Sequence, residues 1–343
     1  MERPRVAVAI VNANSGAHLG RALDALSRQT REPDRTIVVD NASTDGSLEG
    51  IEERFPSLEV LRLGENVGFA AANNLAAKRA EDCDWLALLN PDAFPEPAWL
   101  EELLAAAESN AAYSFFASRI VKASEAGTLD STGDVVHVSG VAWQRDHGEP
   151  TSFERPAGEV FSASAAAALY RREAFVQIGG FDERFFCYYE DTDLAIRLRL
   201  AGHRCWYVPT AVVRHVGAAT AGRESDFMLY HTHRNIVWTY AKNMPSPFVW
   251  LYLPEHVLIN VLTLGAFLLR GRFRVGLRAK RDALRGLRGV LQDRSAVQRT
   301  RRISARHARA AMAKGAAVVP TLLRRSRELG ATESSARGPS TPS

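Results

Sequence analysis

Val6-Ala7-Val8-Ala9-Ile10-Val11-Asn12-Ala13-Asn14-Ser15-Gly16 is an unbroken apolar run that stops abruptly in polar residues. A strand with one wet face alternates apolar and polar side chains, so a continuous run predicts a strand buried on both faces. Three further runs have the same form: Thr36-Ile37-Val38-Val39 ending at Asp40-Asn41, Val60 to Leu63, and Trp85-Leu86-Ala87-Leu88-Leu89 ending at Asn90-Pro91-Asp92. Helical patterns lie between them: Leu19, Leu23 and Leu26, then Ser47 to Phe55, then an alanine-rich helix that Gly68 opens and that runs to Ala80. This alternation predicts an α/β fold, a Rossmann-like, mostly parallel sheet flanked by helices. Such sheets bind ligands outside the carboxyl ends of their strands, and those ends here carry Asn12, Asp40, Asn41 and Asp92.

Residues 123–160 mix Gly, Ser, Asp, His and Glu with few apolar runs, which predicts a long loop or irregular insertion of the kind that serves function. Order returns at Glu159-Val160-Phe161. Glu190 to Ala201 reads as a helix with Gly202 as its stop, followed by extended segments over Cys205–Val208 and Val212–His215 and a helix over His231–Tyr240. Pro245 and Pro247 then punctuate the chain, and the domain boundary is expected near Lys242.

The chain has 343 residues, 46% hydrophobic and 24% charged, which excludes collagen-like, wholly disordered and disulfide-scaffold classes. Three scattered cysteines with no CxxC pair argue against a zinc cluster and fit a reducing compartment. Val6 to Val11 is too short for a secretory signal core. The net charge of +4 hides an asymmetry: 18 Lys and Arg stand against three acids between Arg270 and Glu328, a local +15 that leaves −11 on residues 1–269. Such a basic block reads as a surface for anionic headgroups or for nucleic acid.

No Walker loop, G-x-G-x-x-G after the first strand, H-E-x-x-H or G-x-S-x-G is present, which removes most ATPase, dehydrogenase, metalloprotease and hydrolase readings. Asp40 reads either as an Asx-turn residue or as a ligand contact, and Asp45 or Ser47 is expected to cap the next helix. Asp92 reads as a turn residue or as an oxygen ligand that holds Mg²⁺ or Mn²⁺ against a diphosphate. Glu190, Asp191 and Asp193 open a helix, where the macrodipole favours acids. That accounts for Asp193, whereas adjacent acids after Tyr188-Tyr189 suit a general base, because like charge raises one pKa. His215 closes a strand and gains meaning as a ligand only beside a metal at Asp92.

Taken in order, Val8–Ser15, Val39–Ser47, Asn66-Val67-Gly68-Phe69-Ala70, Leu89–Asp92, Gly179–Phe186 and Glu190–Leu194 resemble the family 2 glycosyltransferases, in their rhamnosyltransferase and galactofuranosyltransferase branch. The resemblance covers residues 5–240. It implies a GT-A fold and inverting transfer from a nucleotide diphosphate sugar with a divalent cation, Mg²⁺ or Mn²⁺. Asn12, Asp40, Asn41, Gly68 and Asn73 are implied at the nucleotide, Asp92 and His215 at the metal, and Asp191 with Glu190 at the catalytic base. Asn90 stands where the family's D-x-D segment has its first acid, and Ala13 where many members have tyrosine. The implied acceptor is a glycan, lipid-linked, in bacterial cell-surface polysaccharide synthesis. The alternatives are a soluble transferase acting on a protein or small molecule, and an inactive sugar-nucleotide-binding subunit.

The expected organisation is a glycosyltransferase domain over 1–242, a basic helical membrane-association region over 243–328 and a disordered tail over 329–343. Val257 to Leu269 is too short to span a bilayer and reads as an interfacial or core-packed helix. Leu277, Leu284, Leu287 and Leu291 line one face of a basic amphipathic helix. The chain is therefore expected in the cytoplasm, peripherally at the inner face of the cell membrane on an anionic surface, with no nucleic acid as partner.

Overall fold

The computed structural model describes residues 3–125, 127–217 and 225–323. The expected disordered tail lies outside them. The described chain forms two compact units, one of Met1–Val135, Gln144–Arg223 and Thr300–Ile303, the other of Val136–Trp143, Glu224–Arg299 and Ser304–Ser343.

The first unit begins with β1 (Val6–Asn12), α1 (His18–Leu26), β2 (Arg35–Asp40), α2 (Ile51–Arg54), β3 (Leu58–Arg62), α3 (Gly68–Arg79) and β4 (Trp85–Leu89). The chain continues through β5 (Ala93–Pro95), α4 (Trp99–Ser109), β6 (Phe115–Lys122), β7 (Leu129–Ser131) and the short pair β8 (Asp134–Val136) and β9 (Ala142–Gln144), whose residues 136–143 belong to the second unit. Then come β10 (Gly158–Val160), β11 (Ala167–Arg171), α5 (Arg172–Gln177), α6 (Glu190–Leu200) and β12 (Cys205–His215). The main sheet runs β10-β12-β6-β11-β4-β1-β2-β3, with β5 on β12 and β7 on β6. The β4-β1-β2-β3 half is parallel throughout, as is the β6–β12 pair. β11 runs antiparallel to both β4 and β6, which makes the whole a mixed sheet.

Both faces of this sheet are covered. Ala7, Ala9, Val11, Ile37, Val39, Leu86 and Leu88 face one buried cluster. Val6, Val8, Ile10, Val38, Ala87 and Leu89 face the other. Successive residues of a strand point to opposite faces, so the unbroken apolar runs have their physical reason in this double burial. Alanines 70, 72, 76 and 77 let α3 lie close on one face. Gly68, at φ +87, is required at its start, because a Cβ there would stand 2.6 Å from the Phe186 ring.

Several local expectations are corrected. The helix expected over Ser47–Phe55 is only Ile51–Arg54, and neither Asp45 nor Ser47 caps it. Asp45 accepts from Gly16 N (2.7 Å) and Ser47 N (3.1 Å), tying its turn to the β1–α1 loop. The two extended segments after Gly202 are one strand, β12, with a register shift between Val208 and Val212. The stretch 123–160, expected as loop, holds β7, β8, β9 and β10.

The second unit is helical: α7 (Asp226–Asn243), α8 (Phe248–Leu251), α9 (Leu253–Leu269), α10 (Phe273–Arg299) and α11 (Ala305–Ala310). Ser225 caps α7 by accepting from Met228 N at 3.2 Å. α7 belongs to this unit. The pairing of α7 with α10 rests on Trp238, whose indole N–H donates to Ala283 O at 2.9 Å. A Cβ on Gly286 would stand 2.5 Å from that ring. No helix of the described residues is long and apolar enough to cross a membrane.

Candidate active site

Asn12 ends β1 in register with Asp40 at the end of β2. Its buried amide shares two N–H donors among Asp40 Oδ1 (2.8 Å), Ser43 Oγ (3.0 Å) and Ser47 Oγ (2.9 Å), and its oxygen accepts from Ser15 Oγ. Ser43 N donates to the other Asp40 oxygen at 3.2 Å. Asn12 is thus the hub that holds Asp40 and the turn after β2 in place. Asn41 donates to Gly68 O and accepts from Val67 N, both at 3.2 Å, fastening the end of β2 to the start of α3. Asn73 is 1% exposed and donates to Phe69 O one turn back, so its amide is engaged within its own helix.

A second group forms where the turn after β4, the end of β12 and β7 meet. Asp92 follows β4, and the pairing of His215 with Ala93 brings the two residues side by side. His215 Nε2 lies 3.3 Å from Asp92 Oδ1, and Nδ1 donates to Asp130 Oδ2 at 2.9 Å. The second Asp130 oxygen lies 3.2 Å from His147 Nδ1. Burial of the imidazole opposes its charge, but Asp130 and Asp92 outweigh that and raise its pKa to about 10. For Asp130 burial likewise opposes the ionised form, and the two histidines more than offset it, holding the carboxyl well below its ordinary range.

His215 Nε2 is buried and makes no well-directed hydrogen bond, although it faces Asp92. A nitrogen and a carboxylate oxygen converging in this way fit Mg²⁺ or Mn²⁺, and Asp130 supplies the outer carboxylate that orients a ligating imidazole. Among the described residues no group of three or more His, Cys, Asp or Glu side chains forms a candidate metal site. A cation here would draw its remaining ligands from a diphosphate or from water.

The third group is the start of α6. Phe186, Tyr188 and Tyr189 sit at φ +66, +65 and +69, a left-handed path that delivers Glu190 and Asp191 into the first turn. Such conformations cost about 1–3 kcal/mol each and cluster at functional sites. Asp191 Oδ1 accepts from Thr192 N (2.6 Å) and Oδ2 from Ala165 N (3.4 Å). Ala166 O, one residue on, accepts from Asn90 N at 2.9 Å, so one short segment ties Asp191 to the turn that carries Asp92. Burial raises the Asp191 pKa, and the Thr192 and Ala165 N–H groups restrain the rise. Burial, with Asp191 second, pushes Glu190 well above the carboxylate range, and its Oε2 has no hydrogen-bond partner. Desolvation therefore exceeds the like-charge effect expected from the sequence. Asp193 pairs with Arg197 at 2.8 Å inside the fold, a structural role.

Sequence reasoning flagged the 123–160 segment but missed Asp130 and Asp134 within it. Asp134, buried near Asp191 and Asp130, has its pKa raised far above the ordinary value, chiefly by desolvation. Their only local signal was two acids four residues apart in Asp130-Ser131-Thr132-Gly133-Asp134.

Acids and a histidine gathered at the strand ends of a mixed α/β sheet agree with what other proteins show. The glycosyl transferase family 2 profile matches residues 7–179, half of the chain. The chain belongs to glycosyl transferase family 2. This transferase is 34% identical, over 264 residues, to the N-acetylglucosaminyl-diphospho-decaprenol L-rhamnosyltransferase of Mycobacterium tuberculosis, a match covering 66% of this chain and 81% of the relative. It is 25% identical to the O-antigen chain rhamnosyltransferase RfbN of Salmonella typhimurium, over 62% of this chain and 66% of that one. Among solved structures, GalNAc-T7 with UDP, GalNAc and Mn²⁺ superposes with a TM-score of 0.57 at 14% identity, over 74% of the transferase and 51% of that chain. The transferase therefore has the GT-A fold and is a glycosyltransferase of the rhamnosyltransferase-like kind found in polysaccharide biosynthesis. Glu190, Asp191 and His215 lie beyond the stretch that the family profile matches.

Proposed function

We propose that this transferase moves a rhamnosyl or related sugar, with inversion, from a nucleotide diphosphate donor to a hydroxyl of a lipid-linked glycan at the cytoplasmic face of a membrane. The observation that carries the reading is the tie through Ala165–Ala166, which couples Asp191 to the turn bearing Asp92 and, across from it, His215. The named activities of the relatives support the choice of sugar and acceptor. Asp40 and Asn41, held by the Asn12 hub and by Gly68, border the nucleotide. Asp92 and His215 would hold the divalent cation, which when bound supplies Lewis-acid stabilisation of the leaving diphosphate. The acceptor hydroxyl becomes a nucleophile as it loses its proton to the Asp191 carboxylate, a role worth roughly 10²- to 10⁴-fold in rate. Burial raises the Glu190 pKa and so disfavours a second negative charge next to that carboxylate.

The test is a panel of nucleotide diphosphate sugars with Mn²⁺, read by thermal shift and by transfer to a polyprenyl-diphosphate glycan. A true donor at 100 times its Kd stabilises the fold by about 2.7 kcal/mol. Transfer is expected to stop in EDTA and to return with Mg²⁺ or Mn²⁺. Full transfer in EDTA overturns the metal assignment, and stabilisation by a donor without transfer to any acceptor favours a sugar-nucleotide-binding subunit.

A further inference from the structure

The helical unit presents an apolar face that no described residue covers. Trp250, Val257, Leu258, Val261, Leu262 and Leu269 are 72%, 50%, 56%, 58%, 59% and 89% exposed. Their spacing of three, four and seven residues puts them along one side of α8 and α9. A contiguous exposed apolar stripe of this length is unusual on a soluble surface and marks an interaction site.

It is not the unfilled side of a core, because the opposite side of α9 is already packed. His256 donates to Ser139 O at 2.7 Å, Asn260 meets Lys280 of α10, and Phe267 closes over Gly276. Glu255, the one acid in α9, is turned inward, 3.8 Å from His137. From His256 to Leu269 no Asp, Glu, Lys or Arg interrupts the stripe.

We propose that this face of α8 and α9 is the surface by which the protein lies on an anionic lipid bilayer. The inference rests on the membrane placement proposed above and names the residues that achieve it. α9 has 17 residues, about 25 Å of helix, short of the roughly 30 Å hydrocarbon core, so it lies in the interface and does not cross. Trp250 at its entrance has the amphipathic ring that favours headgroup depth.

Charge selects lipid over a second copy of the chain. Arg270, Arg272 and Arg274 follow α9 at once, and α10 carries eight Lys and Arg against Asp282 and Asp293. Arg278, Arg281 and Arg285 remain 67%, 55% and 69% exposed although all three border Asp282. Leu277, Leu284 and Leu291 stand exposed among them at seven-residue intervals. A two-fold pairing of this face with itself would set like charge against like, whereas anionic headgroups attract each nearby basic residue by about 1 kcal/mol.

The experiment floats the full chain with vesicles of phosphatidylcholine alone or mixed with phosphatidylglycerol. The wild type is expected to float with the mixed vesicles at least tenfold more than with the neutral ones, and to be partly released by salt. Leu258→Glu with Leu262→Glu is expected to abolish flotation while leaving the melting temperature unchanged, since both side chains are exposed. Arg278→Glu with Arg285→Glu is expected to remove the preference for anionic vesicles. A blue shift of tryptophan emission on vesicles, lost in Trp250→Phe, supports the same surface. Should the wild type float and the leucine variant float equally, the surface is wrong while the membrane placement stands. Failure of the wild type to float overturns both. Failure to float together with an oligomer that the leucine variant converts to a monomer assigns the face to a second copy.

Discussion

An aspartate at its ordinary pKa is a weak base toward a sugar hydroxyl, and proton transfer improves as the pKa approaches the working pH. Asp191 moves in that direction through burial, while two backbone N–H groups favour its ionised form and aim it. The active form is the carboxylate, so activity falls as pH drops through the folded-state pKa. With that pKa raised above 3.8, the acid limb of kcat/KM is expected above the ordinary aspartate range. Asp191→Asn is expected to cut kcat by roughly 10²-fold or more with donor binding retained. Glu190→Gln imitates the neutral form that burial favours and is expected to cost far less. The reverse ranking would assign the base to Glu190. Asp130 touches the site only through His215 and His147, so it is a positioning residue. Asp130→Asn is expected to weaken Mn²⁺ binding by about 10- to 100-fold in a calorimetric titration without shifting the acid limb set by Asp191. Unchanged Mn²⁺ affinity would make Asp130 merely structural.

At the scale of elements, the start of α3 and the turn before α6 approach most tightly where Gly68 faces Phe186. Gly68→Ala places a Cβ in the ring and forces an alanine to φ +87, which is expected to destabilise the fold by about 1–3 kcal/mol in urea unfolding. Gly64→Ala, with nothing within 4 Å of its Cβ, is the control and is expected to be near neutral. The elements themselves were legible where one local rule decided them. Val6–Val11 announced double burial, Gly202 announced the end of α6, and Asn12, Asp40 and Asp92 followed from the strand ends. Asp130 was illegible because its meaning lies in an ion pair with a histidine 85 residues away. The short α2 was misjudged because Asp45 serves the β1–α1 loop rather than a cap, a choice set by tertiary contact. β7 to β10 were missed because three-residue strands carry too little periodicity to be read.

Across the whole molecule, a modest net charge of +4 conceals the +15 block that follows α9 and the opposite balance before it. A basic composition alone left nucleic acid and membrane as rival partners, and the exposed leucines and valines of α9 are what favour the proposed lipid surface. The Gly68–Phe186 contact also governs how a turnover is sequenced. Phe186 O accepts from Ala70 N at 3.1 Å, so the segment proposed to border the nucleotide and the strained path to Asp191 share both a backbone bond and a ring contact. On the proposed function, a donor seated against one is expected to stiffen the other, so that the acceptor meets an Asp191 already aimed. The kinetic grammar that follows is compulsory order: donor on first, nucleotide product off last. In initial-rate studies the nucleoside diphosphate is expected to compete with the donor and to inhibit noncompetitively against the acceptor, with the glycosylated product noncompetitive against the acceptor, whereas random entry would make the glycosylated product competitive with the acceptor.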